Sequence, residues 1–439
     1  MLWWNKNHKG ELMKQSAIVL VIILVSTVSC ATNYRNIHSF ETAWQTVNQA
    51  HYDPAFGNID WKAAHKKYET RINDTKNKEE SVWLINQMLF ELSLSHHLAV
   101  YPDDMKIFMP VLFAEGGIGA DIRLIDGEAV ITMVRAGSPA VEKGLRPGFV
   151  VECIDGKPVG EMIKEGDKLL IPPFNPRNRL NNLSCYISGH IYGPPKTEVK
   201  ITFRNADGKR NETAVRRMSR GRGRVAMEAM PPYYIEFEAK RLPQNIGYFR
   251  FNYWAAPVDK KFISALASMR DVRGIIIDLR GNPGGILSIV HTITKHLLAE
   301  KTKVSAWKFR DKQVDYSFDP APNAYLGQVV ILIDFRSTSS SEYFAGSMQS
   351  INRAVIIGER SPGYLLIANW KKLTNGTSLM YAFAKPIMPD GKVIEGTGVV
   401  PDIEIALERD ELLYGNDTQL KAAIDFILKR KGLFNISFR

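Results

Sequence analysis

Two runs, Ile275-Ile276-Ile277-Asp278-Leu279 and Val329-Val330-Ile331-Leu332-Ile333, are apolar at nearly every position, without the alternation of a half-exposed strand. A strand can be apolar on both faces only where both are covered, which is the situation in a largely parallel sheet flanked by helices. Ile246-Gly247-Tyr248-Phe249-Arg250-Phe251 and Ala354-Val355-Ile356-Ile357 read as further strands. Helical stretches near 259–269, 286–299 and 342–352 fall between them, and an amphipathic helix follows at about 418–431. Strand and helix in alternation predict a layered α/β core.

Each of the two apolar runs leads into a turn with chemical potential. After the second comes Arg336-Ser337-Thr338-Ser339-Ser340-Ser341-Glu342, directly before a helical stretch. A hydroxyl at a helix N-terminus lies beside unpaired N–H groups that can receive negative charge, as an acyl-transfer nucleophile requires. A serine run there serves equally well as an N-cap. After the first run comes Asp278-Leu279-Arg280-Gly281-Asn282-Pro283-Gly284-Gly285, where a glycine amide could reach an oxyanion unobstructed by a side chain. Two such loops can converge at one end of one sheet.

Upstream, residues 37–95 have helical periodicity. Phe40, Ala43, Trp44, Val47 and His51 form one stripe, Trp61, Ala64, Tyr68 and Ile72 a second, and Leu84, Ile85, Met88, Leu89 and Leu92 a third. The segment ends in Ser95-His96-His97. From about 107 to 215 the pattern is strand-rich, with Gly116-Gly117-Ile118-Gly119-Ala120-Asp121-Ile122 and a hairpin turn at Asp155-Gly156-Lys157. This order resembles a PDZ domain, in which amides of a glycine-rich loop (here Gly117, Ile118, Gly119 and Ala120) hold a peptide carboxylate beside a strand edge that accepts an extended peptide.

Lys6, Lys9 and Lys14 precede the short apolar run Ser16 to Val25, followed by Ser26-Thr27-Val28-Ser29-Cys30. Positive residues, a short apolar stretch and small residues before a cysteine predict an export signal, with Cys30 as a lipid attachment point similar to that of bacterial lipoproteins. The run is too short for a comfortable transmembrane helix. The 45% hydrophobic and 23% charged composition excludes a disordered chain or a multi-span membrane protein. Net charge is +11, but the one dense basic run, Arg216 to Arg224, reads as a solvated linker. With no zinc-finger spacing or aromatic–basic interleaving, nucleic-acid binding is not indicated. Cys153 and Cys185 make no disulfide framework or metal site, and Cys153 reads as a buried core thiol.

Together these segments resemble the C-terminal-processing (tail-specific) serine peptidases and their tricorn-core relatives over nearly all of residues 37–432. The resemblance rests on the helical segment, the PDZ-like module, the Asp278–Gly285 stretch, Ser339 three residues before Glu342, and Glu395-Gly396-Thr397-Gly398-Val399-Val400-Pro401-Asp402, in family order. It implies a multidomain α/β fold: a crotonase/ClpP-like α/β catalytic core, an N-terminal helical cap and an inserted PDZ-like β-domain. The implied boundaries are a signal peptide 1–29, cap 30–105, PDZ-like domain 106–218 and peptidase core 219–439. By family spacing the nucleophile is Ser339, not Ser337, Ser340 or Ser341.

One departure is informative. The processing enzymes commonly use a Ser–Lys dyad, with the lysine in a Gly-Glu-Lys-Thr-Phe-Gly-Lys-like segment. Here that stretch is Gly358-Glu359-Arg360-Ser361-Pro362-Gly363-Tyr364, so a phenol stands where the amine is expected. The tricorn branch instead uses a histidine on the cap, a serine just before it and a late glutamate. These map to His96, Ser95 and Glu395, with His97 as a rival base. Gly284, Gly285 and Ser340 are the expected oxyanion donors. The expected activity is peptide hydrolysis, on protein or peptide substrates held by a free C-terminus, without metal or organic cofactor. Two alternatives share the fold: a non-catalytic PDZ-like peptide-binding protein and a small-ligand carrier.

Overall fold

The computed structural model describes residues 33–75, 77–105, 109–169, 175–220, 224–227 and 230–429. The export segment and Cys30 lie outside the described residues.

The two apolar runs become the centre of a six-stranded sheet. In spatial order its strands are Phe237–Leu242, Ile246–Phe251, Gly274–Asp278, Gln328–Ile333, Val355–Gly358 and Ile403–Glu404. Only the first pair is antiparallel; the rest run parallel. The side-chain period of two divides each apolar run between two separate cores. Ile275, Ile277, Val329, Ile331 and Ile333 join a cluster with Trp254, Phe262, Val290 and Phe344 on one face. Ile276, Val330 and Leu332 join Ala423 and Ile427 of the helix Thr418–Lys429 on the other. Because the central strands are parallel, the loops after Asp278, Ile333 and Gly358 all emerge at the same end.

A second sheet lies beside the first and was not foreseen. Ser378–Ile387 is its spine, pairing with Thr302–Lys308, Ile367–Lys372 and the short strand Leu98–Val100 from the N-terminal segment. The cap is thereby hydrogen-bonded into the core. Its helices, 33–50, Trp61–Ile72 and Lys78–Phe90, meet through the expected stripes, with Phe40, Val47, Trp61, Tyr68, Ile85 and Met88 buried together. Asp60 and Asn77 start the second and third by accepting the Ala63 and Glu80 amides.

The PDZ-like module is a sheet ordered Ala120–Ile125, Glu128–Val134, Val150–Ile154, Glu198–Arg204 and Arg210–Arg216. Two helices, Val159–Leu169 and Pro176–Gly189, lie in the chain between its third and fourth strands. The second begins where Asn175 accepts the Arg177 and Asn178 amides, with Pro176 already holding a helical φ.

Two expectations need correction. The basic run is not a solvated linker throughout. Arg217 is 8% exposed and donates to the carbonyls of Ile191, Glu198 and His190, while Arg220 pairs with Glu236 at 2.8 Å. Met218–Ser219 pairs with Gly116–Gly117, so the run is woven into the module's base. Cys153 is half-buried rather than a core thiol, and both described cysteines are free. Arg210, on the sheet's edge strand, reaches the Cys153 sulfur.

Candidate active site

Ser339 lies immediately before the helix Ser340–Ser350, with φ 55° and ψ −118°. A non-glycine residue is strained there by about 1–3 kcal/mol, so the surroundings must hold it. They do so through Glu342, one helical turn on and fully buried. Its Oε2 accepts the amides of Ser339 (3.0 Å) and Tyr364 (2.9 Å), and its Oε1 accepts the Gly363 amide (2.7 Å) and the Ser361 hydroxyl (2.6 Å). The Ser361 hydroxyl in turn accepts the Val399 amide. Burial pushes the Glu342 carboxyl up to about 8, a rise that the Ser361, Gly363 and Ser339 donors limit. The sequence reading used Glu342 only as a spacing marker. The available signal was a serine followed three residues later by glutamate at a helix start, the capping-box pattern.

The Ser339 hydroxyl is 3.0 Å from His96 Nε2, at the end of the cap. His96 Nδ1 is 2.6 Å from the Ser95 hydroxyl, which donates to Glu395 Oε2 at 2.8 Å. Glu395 also accepts the Ser95 amide (2.7 Å) and the Leu365 amide (2.7 Å). Since the Ser95 proton goes to Glu395, the Ser95 oxygen accepts from Nδ1–H. Nε2 is then the bare nitrogen facing Ser339. Burial pulls the His96 ring down to about 4, so it is neutral at pH 7. Burial pushes the Glu395 carboxyl up, opposed by the Ser95 and Leu365 donors.

The rival groups are elsewhere. His97 is 2% exposed, with neither ring nitrogen hydrogen-bonded to a described residue. Tyr364 offers its carbonyl, not its phenol, to the Ser339 amide at 2.9 Å. Its phenol bonds Asn182 of the PDZ-like module, and burial drives it further above its ordinary value.

The loop after Asp278 approaches closely. A Cβ on Gly284, at φ +98°, would fall 2.7 Å from Ser339 Cβ. The Gly284 amide, expected as an oxyanion donor, is already given to Asn282 Oδ1 at 2.9 Å. The amides of Gly285 and Ser340 have no such partner among the described residues. Asn282 is the organiser that the sequence reading overlooked: its side chain also donates to the Phe251 carbonyl, and its own carbonyl accepts the Thr338 amide.

In the PDZ-like loop, Ile118 and Ala120 are buried in the module's core and Gly119 packs on Ser138. The adjacent strand Ala120–Ile125 is at the edge of its sheet, yet its outer groups are in use. The Leu124 amide donates to Ser184 of the module's helix, and the Ile122 carbonyl accepts from Arg336 of the core.

Residues 245–405 match the family described as peptidase family S41, and residues 37–90 match the tricorn protease C1 domain. A carboxyl-terminal-processing protease of Synechocystis sp. is 26% identical over 393 residues, covering 88% of this chain and 85% of that protein. Among solved structures, the photosystem II D1 C-terminal processing protease aligns with a TM-score of 0.53 at 19% identity, over 88% of this chain and 98% of that one. Mature CPAF aligns with a TM-score of 0.59 at 12% identity, over 92% and 99%.

Proposed function

We propose that this chain, a serine peptidase of family S41, cleaves peptide bonds by attack of Ser339, with His96 as general base and then general acid. The observation that carries this reading is the unbroken path Ser339–His96–Ser95–Glu395, every link 3.0 Å or shorter. Nε2 takes the hydroxyl proton as Oγ adds to the substrate carbonyl. Negative charge develops on the carbonyl oxygen, where the Gly285 and Ser340 amides are the free donors. The imidazolium then protonates the leaving amine, the C–N bond breaks, and an acyl-Ser339 remains. Water, deprotonated by the same Nε2, releases the acid and restores the serine. Ser95 and Glu395 hold the tautomer and balance the charge on the ring. This path also favours the peptidase over the peptide-binding and carrier alternatives, which need no aligned proton relay.

Two finer points belong to the same reading. The substrate enters by a free C-terminus at the Gly117–Ala120 loop, and the enzyme is exported and held to a membrane by lipid on Cys30. The first is supported by the module's likeness to a PDZ domain, the second by the residues around Cys30. Among the described residues no helix is long and apolar enough to cross a membrane.

The test is a serine-reactive phosphonate with a peptide and its C-terminal amide as paired substrates. The wild-type protein is expected to be labelled and to cleave the free acid at least ~10-fold faster, about 1.4 kcal/mol. Ser339→Ala abolishes labelling and cleavage with thermal unfolding nearly unchanged. Labelling that survives in Ser339→Ala refutes the nucleophile, and equal cleavage of acid and amide refutes recruitment by the C-terminus.

A further inference from the structure

The PDZ-like module touches the catalytic core through a cluster of four charges, three of them buried, and the cluster lies directly upstream of the nucleophile. Asp121 and Arg123 come from the module's edge strand; Asp334 and Arg336 come from the loop that ends at Ser339. Arg123 Nη1 is 2.5 Å from Asp334 Oδ2, and Arg336 Nη2 is 2.6 Å from Asp121 Oδ2. Arg123 is 3% exposed and Asp334 fully buried.

Asp334 is the joint between the two loops of the active site. Its Oδ1 accepts the Gly281 amide at 2.9 Å, the Arg336 amide at 3.0 Å and the Ser337 hydroxyl at 3.1 Å. Gly281 opens the turn that carries Gly285; Ser337 is two residues before Ser339. With Oδ1 filled, Oδ2 depends on guanidinium charge, and the nearest is Arg123. Burial alone would push the Asp334 carboxyl up, and the Arg123 and Arg336 guanidiniums more than offset it, leaving it below its ordinary value. Removing one partner of a buried pair strands the other, which must then protonate or move. Movement of Asp334 shifts both loops at once.

We propose that Arg123 is a positioning residue for hydrolysis: its ion pair with Asp334 keeps the oxyanion loop and the nucleophile loop in register, so that correct seating of the PDZ-like module is a condition of turnover. The module is then a structural part of the reaction centre as well as a recruiter. This inference rests on Ser339 being the nucleophile.

The test compares the full chain with Arg123→Leu, Arg123→Lys and the double variant Arg123→Leu/Asp334→Asn, using a short peptide substrate and the rate of phosphonate labelling. Arg123→Leu is expected to lower kcat and labelling at least ~10-fold while KM changes less than ~3-fold. Arg123→Lys, which keeps the charge, recovers most of the loss. The double variant is the diagnostic one. An asparagine in place of Asp334 can still accept the three bonds at its carbonyl oxygen but carries no stranded charge, so the double variant should be at least ~3-fold faster than Arg123→Leu alone. If Arg123→Leu does not fold, Arg123→Lys and the double variant still decide, because both are expected to fold and to label. A fully active Arg123→Leu overturns the proposal, as does a double variant no better than the single one. Failure of the wild-type protein to label would instead overturn the reading of Ser339.

Discussion

Glu395→Gln is the sharpest probe of the relay, because it keeps shape and removes charge. Glu395 Oε2 accepts two donors, the Ser95 hydroxyl and the Leu365 amide, whereas Oε1 accepts only the Ser95 amide. The glutamine carbonyl is therefore expected at the Oε2 position, with its NH2 turned toward the Ser95 N–H. One bond to a charged acceptor is lost, costing about 1.5–3 kcal/mol of stability. The effect on rate has a separate origin. The carboxylate is linked to Nδ1 through the Ser95 hydroxyl by contacts of 2.8 and 2.6 Å, and at an effective dielectric of ~20 a unit charge ~5 Å away stabilises the imidazolium by roughly 3 kcal/mol. The imidazolium forms only along the reaction path, so the loss appears in kcat, at about 100-fold, with little change in KM. Initial rates of peptide hydrolysis, normalised to folded protein by circular dichroism, would measure it. Retention of kcat within ~3-fold would mean that Glu395 merely closes a turn and that the charge plays no part in proton transfer.

The acid limb of the pH–rate profile should be displaced. His96 is held near 4 by burial, so the ring is neutral across the mildly acidic range; kcat/KM should stay level from about pH 6.5 down to about 5 and fall through ~4. A midpoint at 6.5 or above would refute a buried imidazole base. Stability follows the same sign: His51 and His291 are also lowered to about 4, by burial first. The folded state then binds fewer protons than the unfolded chain, so this stabilisation is complete above 6.5 and is lost as pH falls toward 4, by roughly several kcal/mol in total, read from urea midpoints. Cys30→Ser should move the protein from the membrane to the soluble fraction and abolish incorporation of labelled palmitate; a wild-type mature N-terminus elsewhere than residue 30 would refute lipid attachment.

The parts of this fold that could be read in advance are those written in a period. The three cap stripes and the unbroken apolar strands report burial residue by residue, so Phe40, Ile85, Ile276 and Val330 lie where their spacing puts them. The second sheet was not readable in the same way. Its outer strand Gln313–Phe318, paired with Thr302–Lys308, alternates exposed and half-buried residues and carries few large aliphatics, so its signal is weak. Arg217 and Arg220 were misread because a charge run looks solvated until tertiary carbonyls and Glu236 are found to receive it. At the site, Ser339, His96, Ser95 and Glu395 were singled out through resemblance, since no local pattern joins residues so far apart. Glu342, Asn282 and Asp334 were passed over for a different reason. Each acts by accepting backbone amides from several loops, and a sequence names no amide as a donor in search of a partner.

The cap reaches the core through a strand, not merely a surface: Leu98, Ala99 and Val100 pair with Met380, Leu379 and Ser378, two residues beyond His96. His96 precedes Ser339 by 243 residues, and Ser95 precedes Glu395 by 300. A ribosome thus delivers the histidine long before the carboxylate, and the strand that fixes the histidine in place appears only between them. A nascent chain therefore lacks the hydrogen-bonded path from Ser339 to Glu395 until residue 395 has emerged.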